Sequence, residues 1–107
     1  MDRARVGLAR GRDRRENVYQ SLELVREDIE AKVADQVLLK PNFLSNKNQL
    51  ASTHPDAIRG VIDFLLSTST PPKQIIVAEG GNEDFSGETF ANFGYPALQK
   101  EYSVPIR

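Results

Sequence analysis

The chain of 107 residues contains no cysteine and only one histidine. Without cysteine it can form no disulfide framework, and no zinc ion or iron–sulfur cluster can be held by thiolates within this sequence. One histidine without cysteine is also a poor basis for a metal site, so we predict none. The sequence lacks an apolar run of transmembrane length, and its first residues lack the apolar stretch of a signal peptide. We therefore expect a cytoplasmic location and no membrane partner.

Hydrophobic residues make up 39% of the chain and charged residues 27%, which is typical of one soluble globular domain. The charge is unevenly distributed. Residues 1–15 contain six arginines and two aspartates, a net charge of +4, so the remainder carries −5. Such a basic segment can meet nucleic acid, an anionic ligand or the protein's own acidic surface. No aromatic residue interleaves with these arginines, which argues against nucleic acid.

The first part of the chain predicts one strand and one helix. Residues 4–9 alternate well enough for a short strand. From Glu16 onward, apolar residues recur at spacings of four and three and form one helical face, with Asn17 or Asp13 available as a cap. The apolar positions of this face are Val18, Leu22, Val25, Ile29 and Val33.

The middle of the chain predicts a buried strand, a long loop and a second helix. Residues 37–39 are a continuous apolar run, typical of a strand buried on both faces, and Pro41 should end it. Residues 43–54 are polar and predict a loop of about a dozen residues, a length that is usually functional or mobile. Pro55 suits the first turn of a helix whose apolar stripe is Ile58, Val61, Ile62, Leu65 and Leu66.

The last part predicts a third strand at residues 75–78, followed by helical segments on either side of Gly94. Residues 104–106 are typical of the beginning of a fourth strand. Alternating strands and helices indicate an α/β domain over residues 1–107. We predict a three-layer α-β-α, Rossmann-like arrangement with a mainly parallel sheet of three to four strands joined by β-α-β crossovers.

In such a sheet, ligands bind outside the carboxyl ends of the strands. Three loops are expected there: residues 10–15, 40–54 and 79–89. The arginines of the first loop would line the same edge or, alternatively, form a surface cluster that balances the acidic body. The residues predicted to bind a ligand or cofactor at this edge are Lys40, Asn42, Thr53, Glu79, Gly80 and Gly81.

Lys40 and His54 are the candidates for catalysis. Lys40 would hold an anionic group or act as a base, or it would be a solvent-exposed lysine at a strand end, paired with Glu79. His54 would act as an acid–base or a ligand, or only as the cap of the second helix. Thr53 competes with it for that cap, because Thr53 and Asp56 have the spacing of a capping box.

Several of these residues resemble the family called domain of unknown function 362. The resemblance covers residues 37–104, in the order expected of the family. Its motifs are Leu38-Leu39-Lys40-Pro41-Asn42, Thr53-His54-Pro55 entering a helix, residues 75–80, and the stretch from Thr89-Phe90 to Gly94-Tyr95. The family is similar, more remotely, to nickel-dependent lactate racemases, whose corresponding loop carries an Asp-His-Thr-Arg motif from which Thr53-His54-Pro55 departs.

The resemblance implies that this chain is either the amino-terminal portion of a longer protein or an unusually short member of the family. Many members of the family carry cysteine-rich or ferredoxin-type iron–sulfur segments further along, and no residue here can take over that role. Two hypotheses follow. The first is the ligand- or cofactor-holding half of an enzyme, with redox or iron–sulfur chemistry in the complete protein and a partner in the carboxyl-terminal remainder. The second is a non-catalytic module that binds a partner protein or a small anion. No cofactor is identified by either.

Overall fold

The computed structural model describes residues 3–80 and 88–107, which form a mixed helix and strand structure. Its α-helices are α1 (Arg14–Glu23), α2 (Arg26–Glu30), α3 (Pro55–Leu66), α4 (Glu88–Asn92) and α5 (Leu98–Glu101). Its strands are β1 (Gln36–Leu39) and β2 (Gln74–Val77), and 3-10 helices cover Gln49–Ala51 and Tyr95–Ala97. None of the described helices is both long and apolar enough to cross a membrane.

The sheet is small and parallel. β1 pairs with β2 in the register Gln36 to Gln74 through Leu39 to Val77. On the other side of β2, a parallel bridge joins Ile75 to Ile106. The backbone N–H groups of Ile75, Val77 and Arg107 donate to carbonyls across this boundary at 2.8–3.1 Å. The described residues therefore hold two strands and one bridging segment, with β2 in the middle, rather than the predicted three to four strands.

The core is built around α3. Pro55 occupies its first turn, as predicted, and the predicted apolar residues Ile58, Ile62 and Leu65 are buried. Phe64, outside the predicted stripe, is completely buried as well. Its ring meets that of Tyr19 edge to face, with the centroids 6.1 Å apart. α3 therefore buries residues on more than one face, because α1 packs against the side that a single apolar stripe would leave open.

The helix predicted from Glu16 onward is interrupted. Asp13 caps α1, since its side chain accepts the N–H of Glu16 at 2.8 Å, which confirms one of the two predicted caps. At Val25 the backbone leaves the helical region (φ −122°, ψ 25°), and its carbonyl starts α2 instead. Valine is a weak helix former because its branched Cβ restricts the side chain, which is consistent with a break at this position.

The strand predicted at residues 4–9 is wrong. The segment is straight but pairs with no strand of the described chain. Gly7 lies against α1, whereas Val6 and Leu8 are 87% and 86% exposed. Exposure does alternate along the segment, but Gly7 and Ala9 are the half-buried residues and the larger apolar ones face solvent.

β1 is also less buried than its composition predicts. Val37 and Leu39 pack against the core, but Leu38 is 61% exposed, because no described element covers that face of the strand. Burial on both faces is therefore wrong for β1. The structure confirms three other predictions: the end of the strand before Pro41, the position of β2 and the helical segments around Gly94. Gly94 adopts a left-handed conformation (φ 80°), which glycine reaches without steric cost.

Candidate functional site

The carboxyl ends of the two strands lie side by side. The N–H of Ala78 donates to the carbonyl of Leu39 at 3.0 Å, which extends the pairing by one step beyond β2. Just past this point, the Nζ of Lys40 lies 2.9 Å from Oε2 of Glu79. The parallel pairing therefore brings together two of the predicted site residues, as the ion-pair interpretation of Lys40 expected.

The two partners of this ion pair differ in exposure. The side chain of Glu79 is only 10% exposed, whereas that of Lys40 is 68% exposed. Oε1 of Glu79 accepts the N–H of Gly80 at 2.8 Å, so both carboxylate oxygens have donors. A lysine ammonium has three N–H groups, of which this pair uses one. The arrangement orients the ammonium and leaves it accessible from solvent.

Asn42 and Thr53 close the base of the long loop. The N–H of Asn42 donates to the Thr53 hydroxyl at 2.9 Å, and the N–H of Thr53 donates to the Asn42 carbonyl at 2.8 Å. Phe43 and Ser52 form an antiparallel bridge one step further in. The corner is thus built by the backbone of Asn42, and the exposed Asn42 amide group makes no hydrogen bond within the described chain. That amide is available to a ligand.

His54 caps α3. Its Nδ1 accepts the N–H of Asp56 at 3.0 Å, from an extended backbone (φ −74°, ψ 142°). The hydroxyl of Thr53 is engaged with Asn42, so the alternative capping box from Thr53 is wrong. An accepting Nδ1 places the proton of the neutral imidazole on Nε2. The side chain is 31% exposed, so Nε2 can still donate to a ligand while Nδ1 holds the helix.

We expect the cap to be measurable. His54→Ala should lower the free energy of unfolding by about 1 kcal/mol, whereas His54→Asn, which restores an acceptor, should keep most of it. Urea unfolding of the two variants beside the wild type checks this. Equal losses in both variants would show that the imidazole stabilises the fold through something other than capping.

A cluster of aromatic side chains packs against the base of the long loop between Asn42 and Thr53. Phe43 is 3% exposed and meets the rings of Phe90, Phe93 and Tyr95 edge to face, at centroid distances of 5.1, 6.1 and 5.4 Å. The Tyr95 hydroxyl donates to the carbonyl of Thr53 at 2.6 Å, and burial raises the pKa of this hydroxyl. These residues were not among the predicted site residues. The sequence feature that could have indicated this cluster is the close spacing of three aromatic residues around Gly94.

The arginines of residues 10–15 were predicted either to line this edge or to form a surface cluster. Because the first strand is absent, residues 10–15 do not follow a strand end. Arg15 instead pairs with Asp63 of α3 at 2.5 Å, which raises its pKa. The Tyr102 hydroxyl donates to the same carboxylate at 3.2 Å, and burial, together with this negative charge, raises the Tyr102 pKa to about 12. Arg15 therefore joins α1 to α3 and to the segment after α5.

Gly81 lies outside the described residues, as does most of the predicted loop at residues 79–89. Gly80 is described, and no atom of the described chain would lie within 4 Å of a Cβ at that position. In the ranges 3–80 and 88–107, no three histidine, cysteine, aspartate or glutamate residues are grouped as a metal site requires.

Comparison with known proteins identifies the family. No curated protein and no solved structure matches the chain. A family model described as a domain of unknown function (DUF362) matches residues 37–107. The match covers more than half of the chain and includes β2, β1 from its second residue onward, the Lys40–Glu79 pair, the Asn42–Thr53 corner and the aromatic cluster. The chain therefore belongs to the DUF362 family.

Proposed function

We propose that this DUF362 domain binds a small anionic ligand or cofactor at the carboxyl ends of its parallel strands, as part of an enzyme. The observation that carries the proposal is the Lys40–Glu79 pair, in which a nearly buried carboxylate orients an accessible ammonium. In open parallel sheets, ligands bind at this edge. A phosphate or carboxylate can use the remaining ammonium donors without displacing Glu79.

The neighbouring groups supply the other contacts of such a site. The Asn42 amide is exposed on the corner next to Lys40, and Nε2 of His54 carries a proton at the start of α3. Asn42 would hydrogen-bond the ligand, and His54 would donate to it or exchange a proton with it. Thr53 has its hydroxyl and carbonyl engaged, so its role is to hold Asn42 and His54 in place.

The proposal also concerns the larger domain in which the site would lie. We place it in a larger three-layer, Rossmann-like domain, with the two described strands and the Ile106 bridge as part of its sheet. Ligands for any iron–sulfur cluster would come from outside residues 1–107, because these contain no cysteine.

Chemical-shift mapping tests the proposal. The ¹⁵N-labelled chain is titrated with inorganic phosphate, acetate, citrate and AMP at constant ionic strength. Shifts confined to residues 40–54 and 79–80 are the expected result for at least one anion. Shifts spread over the arginines of residues 3–15, or none with any anion, would contradict an anion site at the strand ends.

Gly80→Ala should separate binding from folding. A methyl group at Gly80 meets no atom of the described chain within 4 Å, so thermal unfolding should be unchanged. If glycine is there to let the ligand approach the backbone, the affinity for the anion should fall by about tenfold, equivalent to about 1.4 kcal/mol. Unchanged affinity would place the ligand away from Gly80.

A non-catalytic interaction module is the second candidate. The observation in its favour is that the long loop exposes Leu50 by 95% and Leu44 by 54%. Exposed leucines on a loop are suited to a protein partner. The anion titration discriminates the two functions, since a protein-binding loop requires no anion-dependent shifts at Lys40 or His54.

A further inference from the structure

The segment before α1 is straight and carries its larger apolar side chains outward. Residues 3–11 contain no helix, turn or bend. Val6 and Leu8 are 87% and 86% exposed, while Gly7 and Ala9 between and beside them are half-buried. Single exposed apolar residues are ordinary. Two of them at alternate positions of a segment without turns present an apolar face to which a strand could add.

The segment of residues 3–11 contacts both α1 and α2. A Cβ at Gly7 would lie 2.1 Å from the carbonyl oxygen of Ser21 in α1, so the backbone is in direct contact with that helix. Nε and Nη2 of Arg5 donate to the two carboxylate oxygens of Asp28, both at 2.7 Å. The segment is therefore ordered before any partner arrives, which reduces the entropy that a partner would have to overcome.

The backbone of residues 4–9 is not paired. Within the described chain, none of its N–H or carbonyl groups forms a hydrogen bond, and the nearest such contact is the Gly11 carbonyl, which accepts the Asn17 amide at 3.0 Å. An ordered, extended backbone with open donors and acceptors is a template for strand addition.

The charges around the segment indicate the kind of strand. Arg3, Arg10, Arg12 and Arg14 are exposed and form no ion pair in the part of the chain that the structure describes. Guanidinium groups bind carboxylates through paired donors. We propose that residues 4–9 are a docking edge for an extended strand of a partner protein, in which apolar residues alternate and contact Val6 and Leu8 while flanking acidic residues pair with these arginines.

Two other classes of partner fit less well. A single-stranded nucleic acid is usually bound on stacking platforms, and residues 1–18 contain no aromatic side chain. A membrane could take up Val6 and Leu8, but backbone groups that entered its hydrocarbon region with them would have no partners. A strand satisfies the backbone, the apolar face and the arginines together.

The test uses the whole chain and a fluorescein-labelled peptide in which five residues of alternating valine and serine, beginning and ending with valine, are flanked by two glutamates at each end. Fluorescence anisotropy should show binding that weakens as salt is added, because the arginine–carboxylate pairs are exposed. A peptide with its central valine replaced by proline should bind about tenfold or more weakly, since proline cannot donate to a ladder. Amide shifts should fall on residues 4–9.

The matched variants are Leu8→Asp and Leu50→Asp, which place the same charge on two highly exposed leucines. Leu8→Asp should abolish peptide binding, and Leu50→Asp should leave it unchanged. Gly7→Ala, which pushes the segment off α1, should weaken binding while helix content is retained. The proposal is overturned if the peptide does not bind, or if both leucine variants behave alike. It is also overturned if a second copy, phosphatidylserine vesicles or an oligonucleotide occupies residues 4–9 in place of the peptide.

Discussion

Phe64→Ala should lower the free energy of unfolding by about 3–5 kcal/mol, the usual cost of removing a buried aromatic ring. The Phe64 side chain has no solvent exposure. Its ring contacts that of Tyr19 on α1, and the guanidinium of Arg26 lies 4.7 Å from the ring centroid. The substitution therefore leaves a cavity where α1, α2 and α3 meet. Since domains of this size are stable by only about 5–15 kcal/mol, the loss is a large share of the total.

Chemical denaturation measures this loss, with Leu50→Ala as the control. Leu50 is 95% exposed, so its substitution should change stability by less than about 0.5 kcal/mol. Phe64→Leu should fall between the two, because it fills part of the space. A loss of under about 1 kcal/mol for Phe64→Ala would mean that this three-helix contact is not the centre of the core.

Gly60→Ala should also be strongly destabilising. A Cβ at Gly60 would lie 2.5 Å from the carbonyl oxygen of Arg15 and 2.8 Å from Cβ of Val18, so α1 would have to move away from α3. Overpacking of this kind costs about 1–3 kcal/mol, and in an exposed helix alanine would instead gain about 1 kcal/mol over glycine. The difference is a net loss of up to about 2 kcal/mol, and we expect the upper part of that range because the obstacle is backbone and cannot rotate aside.

Thermal unfolding of Gly60→Ala and Gly80→Ala provides the comparison. Both add one methyl group, but at Gly80 it meets no atom of the described chain within 4 Å. The unfolding temperature should fall for the first and stay constant for the second. An increase for Gly60→Ala would show that α1 is free to shift and that helix propensity decides the outcome.

The fold could be predicted where local patterns decide it. The apolar spacing of α3 and the Pro55 at its start identify the helix, because burial of one face and a proline in the first turn depend on nearby residues. Tertiary packing decides the rest. Residues 4–9 alternate as a strand does, but Gly7 packs against α1, and no strand of the described residues pairs with the segment. The alternating pattern occurs in this unpaired segment as well as in strands, so it does not identify the neighbours of the backbone.

In the candidate site, too, local patterns could be predicted from the sequence and tertiary contacts could not. Lys40 and Glu79 could be brought together from the sequence, since both follow apolar strands and parallel strands end at one edge. The packing of the aromatic cluster against the loop could not be predicted from the sequence, because the hydrogen bond from Tyr95 to Thr53 joins residues 42 positions apart. The cap was ambiguous between Thr53 and His54, and the bond from Asn42 to the Thr53 hydroxyl decides it.

The most direct test of the proposed function compares two lysines on the same sheet. Lys40 pairs with Glu79 at the carboxyl ends of the strands, and Lys73 pairs with Asp35 at 3.5 Å beside their amino ends. Both lysines are largely exposed. The affinity of the chain for the anion that shifts residues 40–54 is measured for Lys40→Ala and Lys73→Ala at constant salt. We predict a loss of about tenfold or more for Lys40→Ala and less than about twofold for Lys73→Ala. Equal losses in the two variants would reduce the binding to general charge attraction and contradict a site at the strand ends.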